Sequence, residues 1–194
     1  MTVGFKAFTC SYPKLSNILL SKVLISIEFD PKVIKEHRPA HREFNAIWDT
    51  GATNTVISHN VVAKLDLKPI DLVQTHTVGG IHLSNVYYVN IILPNHVEFP
   101  RKRVTEGNIG GFDVLIGMDI ITKGDLAISN FNQKTTFTFR IPSLEKFDFT
   151  QSSPKETPFQ YKKKKIRPND LCPCGSGKKY KKCHSVSDQM KLRG

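Results

Sequence analysis

Apolar and polar residues alternate with a period of two in several short stretches of this chain, separated by turns that carry Gly or Pro. In "KVLISIEF", residues 22–29, Val23, Ile25, Ile27 and Phe29 alternate with Leu24, Ser26 and Glu28, and Asp30 follows in the polar phase. That pattern predicts a strand with its odd-numbered residues facing inward. "FNAIWDT", residues 44–50, predicts a second strand. The charged stretch between them, "DPKVIKEHRPAHRE", reads as a long hairpin loop with His37, Arg38, His41 and Arg42 in solvent. "SHNVVAKLDL", residues 58–67, predicts a short helix with Ser58 at its N-cap. "NVYYVNIIL", residues 85–93, is a strong strand. In "TTFTFRI", Thr136, Thr138 and Arg140 alternate with Phe137, Phe139 and Ile141, and this strand pairs with "DLAIS" across the turn "NFNQK". Only two short helices are evident. The predicted class is all-β, with a closed, barrel-like sheet.

The pattern stops after residue 142. Residues 143–166, which include "QSSPKETPFQYKKKK", offer almost nothing to bury and read as a flexible basic linker. The 194 residues suit one domain plus an appendage, and an apolar fraction of 39% is enough for that domain to build a core. Charge divides the same way. Of the net +11, residues 1–150 carry +2 and residues 151–194 carry +9, which points to two modules with different tasks.

No run of 18 apolar residues occurs, so no transmembrane helix and no membrane partner are expected. "SNILLSKVLISIEF" is interrupted by Lys22 and lacks a small-residue cleavage site, so it reads as strand rather than signal sequence. Residues 1–20 leave two roles open, an inhibitory segment or a dimer strand. Cys10 stands alone, whereas Cys172, Cys174 and Cys183 cluster in the tail. This is not a disulfide framework. Clustered Cys beside a His indicates metal in a reducing compartment, which makes the expected location cytoplasmic.

Candidate chemistry begins at "AIWDTGATNTVIS", residues 46–58. Asp49 ends an apolar run, where a carboxylate is costly unless it is hydrogen-bonded or shares its proton. A small-residue turn, "GATNT", follows, and then the predicted helix. Further on come the Gly-tipped hairpin "TVGGIHLSNVYYVNIIL" and "DVLIGMDII", where an apolar strand ends at Gly117 and passes into a short helix that stops at Gly124. The Asp-Thr-Gly triplet alone is weak, and Asp49 also suits a simple turn. The three features together, in this order, resemble the retropepsin-like aspartic proteases over roughly residues 20–142.

That resemblance implies a closed β-barrel with a flap hairpin, and a polypeptide substrate. Asp49 would be catalytic. Thr50, Gly51 and Ala52 would form the active-site turn, with Thr50 bracing it across a dimer. Leu115, Ile116 and Gly117 would support that turn, and Gly79, Gly80 and Ile81 would form the flap tip. The chemistry needs two carboxylates that share one proton, one acting as base and the other as acid; the aspartic-protease dyad is the standard example of such a pair. Asp-Thr-Gly occurs once here, so the second aspartate must come from another copy, and a homodimer is expected. Catalysis would need no cofactor. The chain departs from the retroviral members in two places. They usually have Gly-Arg-Asn where this chain has Gly117-Met118-Asp119, and an acidic pair where it has Thr53 and Asn54. The arginine–acid pairing is therefore absent, and the chain looks more like the cellular and bacterial members. Asp113 and Asp119 are expected to be structural, and Trp48 to pack in the core or an interface.

In the tail, "RPNDLCPCGSGKKYKKCHS" supplies Cys172 and Cys174 and then, after eight residues, Cys183 and His184. Three thiolates and an imidazole are a tetrahedral zinc set, and so small a segment needs the metal to fold. The stretch closely resembles the SEC-C zinc motif of the preprotein-translocase ATPase. That resemblance implies a structural zinc ion and docking to a partner, either an acidic protein or the ribosome.

The expected organisation is therefore a retropepsin-like protease domain over residues 1–142, a linker over 143–166 and a SEC-C motif over 167–194. The expected function is aspartic endopeptidase activity, with the tail recruiting partners. The alternatives are a non-catalytic dimeric adaptor, and a ribosome- or RNA-associated protein that binds through its tail.

Overall fold

The structure is a computed structural model and describes residues 4–77, 80–150 and 166–183. The chain divides into two compact units, Met1–Lys146 and Phe147–Gly194. The first unit is almost entirely β.

Strands β2 (Leu19–Ile27), β3 (Arg42–Trp48), β4 (Val56–Ile57), β6 (Gly80–Ile92), β7 (Glu98–Glu106) and β8 (Val114–Ile116) lie in the order β2-β3-β8-β4-β7-β6. A further pairing of β2 with β6, Leu24↔Ile92 through Ile27↔Val89, closes this sheet into a barrel. Strand β5 (Asp71–Thr77) extends it as a hairpin with β6. Strands β1 (Lys6–Ser11), β9 (Asp125–Ser129) and β10 (Thr136–Ile141) make a second sheet in the order β1-β10-β9. The residues that precede the barrel thus pair antiparallel with the last strand of the unit.

Alternation places the core where the sequence predicts it in most elements. Val23, Ile25, Phe44, Ala46, Trp48, Phe137 and Phe139 are buried. Trp48 donates its indole N–H to Ser21 Oγ at 2.9 Å and packs against Phe139 with ring centroids 4.9 Å apart, and Phe8 and Phe137 complete the cluster. The expected pairing of β9 with β10 forms, with Thr136 opposite Ser129, so the connection takes in Thr135 as well as the turn, which carries a 3-10 element at Phe131–Gln133.

One strand changes phase. Ser26 is buried and Ile27 is 46% exposed, the reverse of the expected pattern. There β2 runs past its pairing with β3, which ends at Ile25↔Arg42, and continues along β6 alone. The change of partner turns the strand, and the Ser26 hydroxyl satisfies itself locally on the Ile27 carbonyl. The residue pattern does not predict strand β7, because Pro100 and the run Arg101-Lys102-Arg103 resemble a solvated turn. A register shift between Val89 and Ile91 of β6 and a positive φ of 50° at Arg101 accommodate that irregular stretch.

Helix α1 (His59–Leu65) starts after Ser58, whose hydroxyl makes no capping bond, and α2 (Met118–Ile121) follows β8 directly. Beyond β10, Asp125 holds the chain as it leaves the sheet, accepting the Ser143 hydroxyl, the Leu144 N–H and the Arg140 guanidinium. Those bonds pull the Asp125 carboxyl down to about 2.

In the second unit, residues 166–183 form a bridge between Leu171 and Lys179 and a 3-10 turn at Tyr180–Lys182.

Candidate active site and metal cluster

The Asp49 turn owes its place to one topological feature. Strand β8 lies between β3 and β4, parallel to the first (Trp48↔Ile116) and antiparallel to the second (Val56↔Leu115). The loop joining β3 to β4, residues 49–55, must therefore pass over the end of β8, where Gly117 stands. Contact there is between backbones. Asp49 N–H donates to the Ile116 carbonyl at 3.0 Å, Met118 N–H to Ala52 O at 2.8 Å and Asp119 N–H to Thr53 O at 3.1 Å. A Cβ on Gly117 would come within 2.6 Å of the Asn54 carbonyl carbon and oxygen, so only glycine fits at this crossing.

Asp49 is half-buried. Its Oδ1 accepts the Gly51 N–H at 2.8 Å, which meets the expectation that a carboxylate at this position must be hydrogen-bonded. Thr50 is exposed, and Leu115 is half-buried beside the buried Ile116. The structure therefore brings Asp49, Thr50, Gly51 and Ala52 together with Leu115, Ile116 and Gly117. Of the expected flap tip, Gly79 lies outside the described residues. Gly80 starts β6 at a positive φ of 115°, and Ile81 is 62% exposed.

Several polar residues behind the turn escape a reading of the sequence. Thr55 is fully buried; its Oγ1 accepts the Gly117 N–H at 3.3 Å and donates to Asp119 Oδ1 at 2.8 Å. Lys102, from β7, reaches the other oxygen of Asp119 at 2.5 Å. A signal for this group is present in the sequence, since an acid at residue 119, two residues after the glycine that ends an apolar strand, calls for a counter-charge. At the base of the β5–β6 hairpin, Glu106 accepts bonds from Asn85 Nδ2 (3.1 Å) and Tyr87 Oη (2.8 Å) and pairs with His59 Nδ1 (2.9 Å). Burial alone would raise the Glu106 carboxyl, but these three bonds outweigh it and hold the group below its usual range. Burial and the Glu106 carboxylate together push the Tyr87 hydroxyl up to about 12. Asp113, expected to be structural, accepts Asn45 N–H at 3.0 Å and Asn60 Nδ2 at 2.7 Å.

In the second unit, one Sγ from each of Cys172, Cys174 and Cys183 lies within 4.8 Å of the other two, and Cys174 and Cys183 are 3.5 Å apart. Sulfurs bound at ~2.3 Å around one tetrahedral ion would stand at about this separation, so the donor set fits a thiophilic metal. Gly175 and Gly177 wrap the chain around the cluster at positive φ of 79° and 69°. The Ser176 hydroxyl and amide draw the Cys174 thiol down to about 6. His184, the expected fourth ligand, lies outside the described residues.

Comparison with known proteins follows the same division. Residues 39–123 match the family model described as gag-polyprotein putative aspartyl protease, and residues 169–185 match the SEC-C motif. Among curated proteins, the translocase subunit SecA of Lawsonia intracellularis is 62% identical over 39 residues, which is 20% of this chain and 5% of that protein. SecA of Rubrobacter xylanophilus is 34% identical over 89 residues, 43% of this chain and 10% of that protein. The chain thus spans only a small part of the curated relatives it matches. Among solved structures, the retropepsin-like aspartic protease from Rickettsia conorii aligns with 72% of this chain and 98% of its own, at 10% identity and a TM-score of 0.44. The EIAV protease complexed with the inhibitor HBY-793 aligns with 55% of this chain and 88% of its own, at 22% identity and a TM-score of 0.37. The two family matches thus place a stretch similar to gag-polyprotein aspartyl proteases at residues 39–123 and a SEC-C motif after it, at residues 169–185.

Proposed function

We propose that the chain is an aspartic endopeptidase whose active site forms when two copies bring their Asp49 carboxylates together. The observation that carries this reading is the Asp49 turn itself. A half-buried carboxylate is fixed by Gly51 N–H on a loop pinned over Gly117, at the end of a closed barrel. One such group can take or give a proton. Hydrolysis of a peptide bond needs both acts, one on the attacking water and one on the leaving amine. Two Asp49 residues sharing a proton supply both. The exposed Thr50 side chain is free to brace the turn from the facing copy, and the β5–β6 hairpin covers the extended polypeptide. The protease domain is assigned to residues 1–142, residues 143–166 connect it, and residues 167–194 form the SEC-C motif.

The test is a cleavage profile. The purified chain is incubated with a library of unfolded peptides at several pH values, and new termini are identified by mass spectrometry beside an Asp49→Ala control. Cuts that vanish in the control establish the activity. If no cut depends on Asp49 at any pH, the endopeptidase reading fails and a dimeric adaptor takes its place. Sedimentation of the active preparation as a strict monomer overturns the shared site.

For the tail we propose one structural zinc ion held by Cys172, Cys174, Cys183 and His184, leaving no open coordination position. The basic surface around it, with Lys178, Lys179, Lys181 and Lys182, would dock an acidic partner. Structural zinc supplies about 10–16 kcal/mol to small metal-folded segments, far more than residues 166–183 can gain from packing. Treating the full chain with a chelator is expected to abolish amide protection in this segment and leave the barrel's unfolding temperature unchanged. Elemental analysis should find about one zinc per chain before treatment.

A further inference from the structure

The group behind the active-site turn has a role that the family resemblance does not supply. We propose that Lys102 is a positioning residue, which orients the Asp49 turn from a different strand through Asp119 and Thr55. This rests on the endopeptidase reading for its catalytic consequence, but not for its geometry.

The path is continuous. Lys102 Nζ meets Asp119 Oδ2 at 2.5 Å, Thr55 Oγ1 donates to Asp119 Oδ1 at 2.8 Å, and Gly117 N–H donates to Thr55 Oγ1 at 3.3 Å. One residue before Gly117, the Ile116 carbonyl accepts Asp49 N–H at 3.0 Å. Thr55 is fully buried, and the Lys102 and Asp119 side chains are only 19% and 16% exposed. Water is therefore a poor substitute for any of these partners.

The balance of donors and acceptors sets the direction. The Gly117 amide needs a lone pair on the Thr55 hydroxyl. The single hydroxyl proton must then go elsewhere, and an ionised Asp119, which can only accept, is its destination. A carboxylate this deep is tolerated when a cation faces it. Lys102 provides that cation, and it reaches in from β7 rather than from the segment next to Gly117. The missing arginine–acid pairing around residues 53, 54 and 118 is thereby replaced by an ion pair between residues 102 and 119.

The structure predicts a specific rescue. Lys102→Met leaves Asp119 without its counter-charge, so the Thr55 hydroxyl loses its fixed orientation. Adding Asp119→Asn restores a neutral acceptor of the same shape, which needs no cation. Backbone amide hydrogen exchange on the full-length chain reads the geometry without using activity. In Lys102→Met, exchange at Gly117 and Asp49 is expected to accelerate by about tenfold or more while Val23 and Val89 in the barrel keep their protection, and the double variant is expected to recover. Peptide cleavage reads the consequence. In Lys102→Met, kcat should fall about tenfold with KM little changed, and the double variant should regain most of it.

Unchanged exchange at Gly117 and Asp49 overturns the proposal. So does acceleration spread evenly over the barrel, which would mark Lys102 as a general stabiliser, or a double variant no better than the single. If the exchange results hold but no cleavage depends on Asp49, the tie stands and the endopeptidase reading falls.

Discussion

Asp49→Asn is expected to lower peptide cleavage by roughly 10³-fold or more, because the substitution removes both proton acts at once and each contributes about 10²–10⁴. Its effect in mixtures is more telling. If the site needs one Asp49 from each of two copies, a dimer of one wild-type chain and one Asp49→Asn chain has no dyad. An equal mixture, refolded together so that chains pair at random, then holds about a quarter of its dimers with two aspartates. Total cleavage should fall to about a quarter of that of the same amount of wild-type chain, whereas chains that work alone would retain about a half. Intermediate ratios should follow the square of the wild-type fraction. A straight line through those ratios would show that each copy carries a complete site.

Gly117→Ala is expected to damage both the fold and the site. The backbone at Gly117 has an ordinary φ of −94°, so alanine meets no conformational objection there. The obstacle is steric. Its Cβ would stand 2.6 Å from the carbonyl of Asn54 and 3.0 Å from the Ala52 oxygen. Neither neighbour is a side chain that can swing aside; both are backbone of the loop that carries Asp49. The loop must lift, breaking its bonds from Met118 and Asp119. We expect a loss of about 3 kcal/mol or more in chemical denaturation, with cleavage abolished in the molecules that remain folded. Gly51→Ala provides the contrast. There the nearest atom is Asp49 Oδ1 at 3.2 Å, the end of a side chain. Stability should change little while kcat falls, because the added methyl displaces the carboxylate rather than the fold.

These two glycines show which parts of the site the chain announces and which it conceals. Asp49, its small-residue turn and the apolar strand ending at Gly117 are local signals, each read within ten residues. The alternation of Phe137 and Phe139 with threonines is equally local, and so is the pairing of β9 with β10. The polar support is not local. Thr55 looks like an ordinary turn residue until β7 and α2 close around it. Lys102 sits among neighbouring arginines and resembles solvent-facing charge. Arg103 beside it does face outward, forming a half-exposed pair with Asp71. Nothing in "FPRKRV" says which of its three cations turns inward, because a register shift in the pairing of β6 with β7 decides it. Ser26 and Ile27 exchange places for a related reason. Period-two reading assumes one pairing partner per strand, and β2 has two in succession.

The insertion of β8 between β3 and β4 also governs when this molecule acquires its site. Trp48 and Val56, on either flank, are close in the chain, but the strand that separates them arrives only after the hairpin of β5 and β6 and all of β7 have been made. Such pairings have high contact order and pay their loop-closure cost late. A chain still emerging from synthesis can form the hairpins yet cannot fix Asp49, since Ile116 has not yet come to accept its amide. Folding therefore acts as a timer, and the carboxylate is set in place only when the barrel around it is nearly complete.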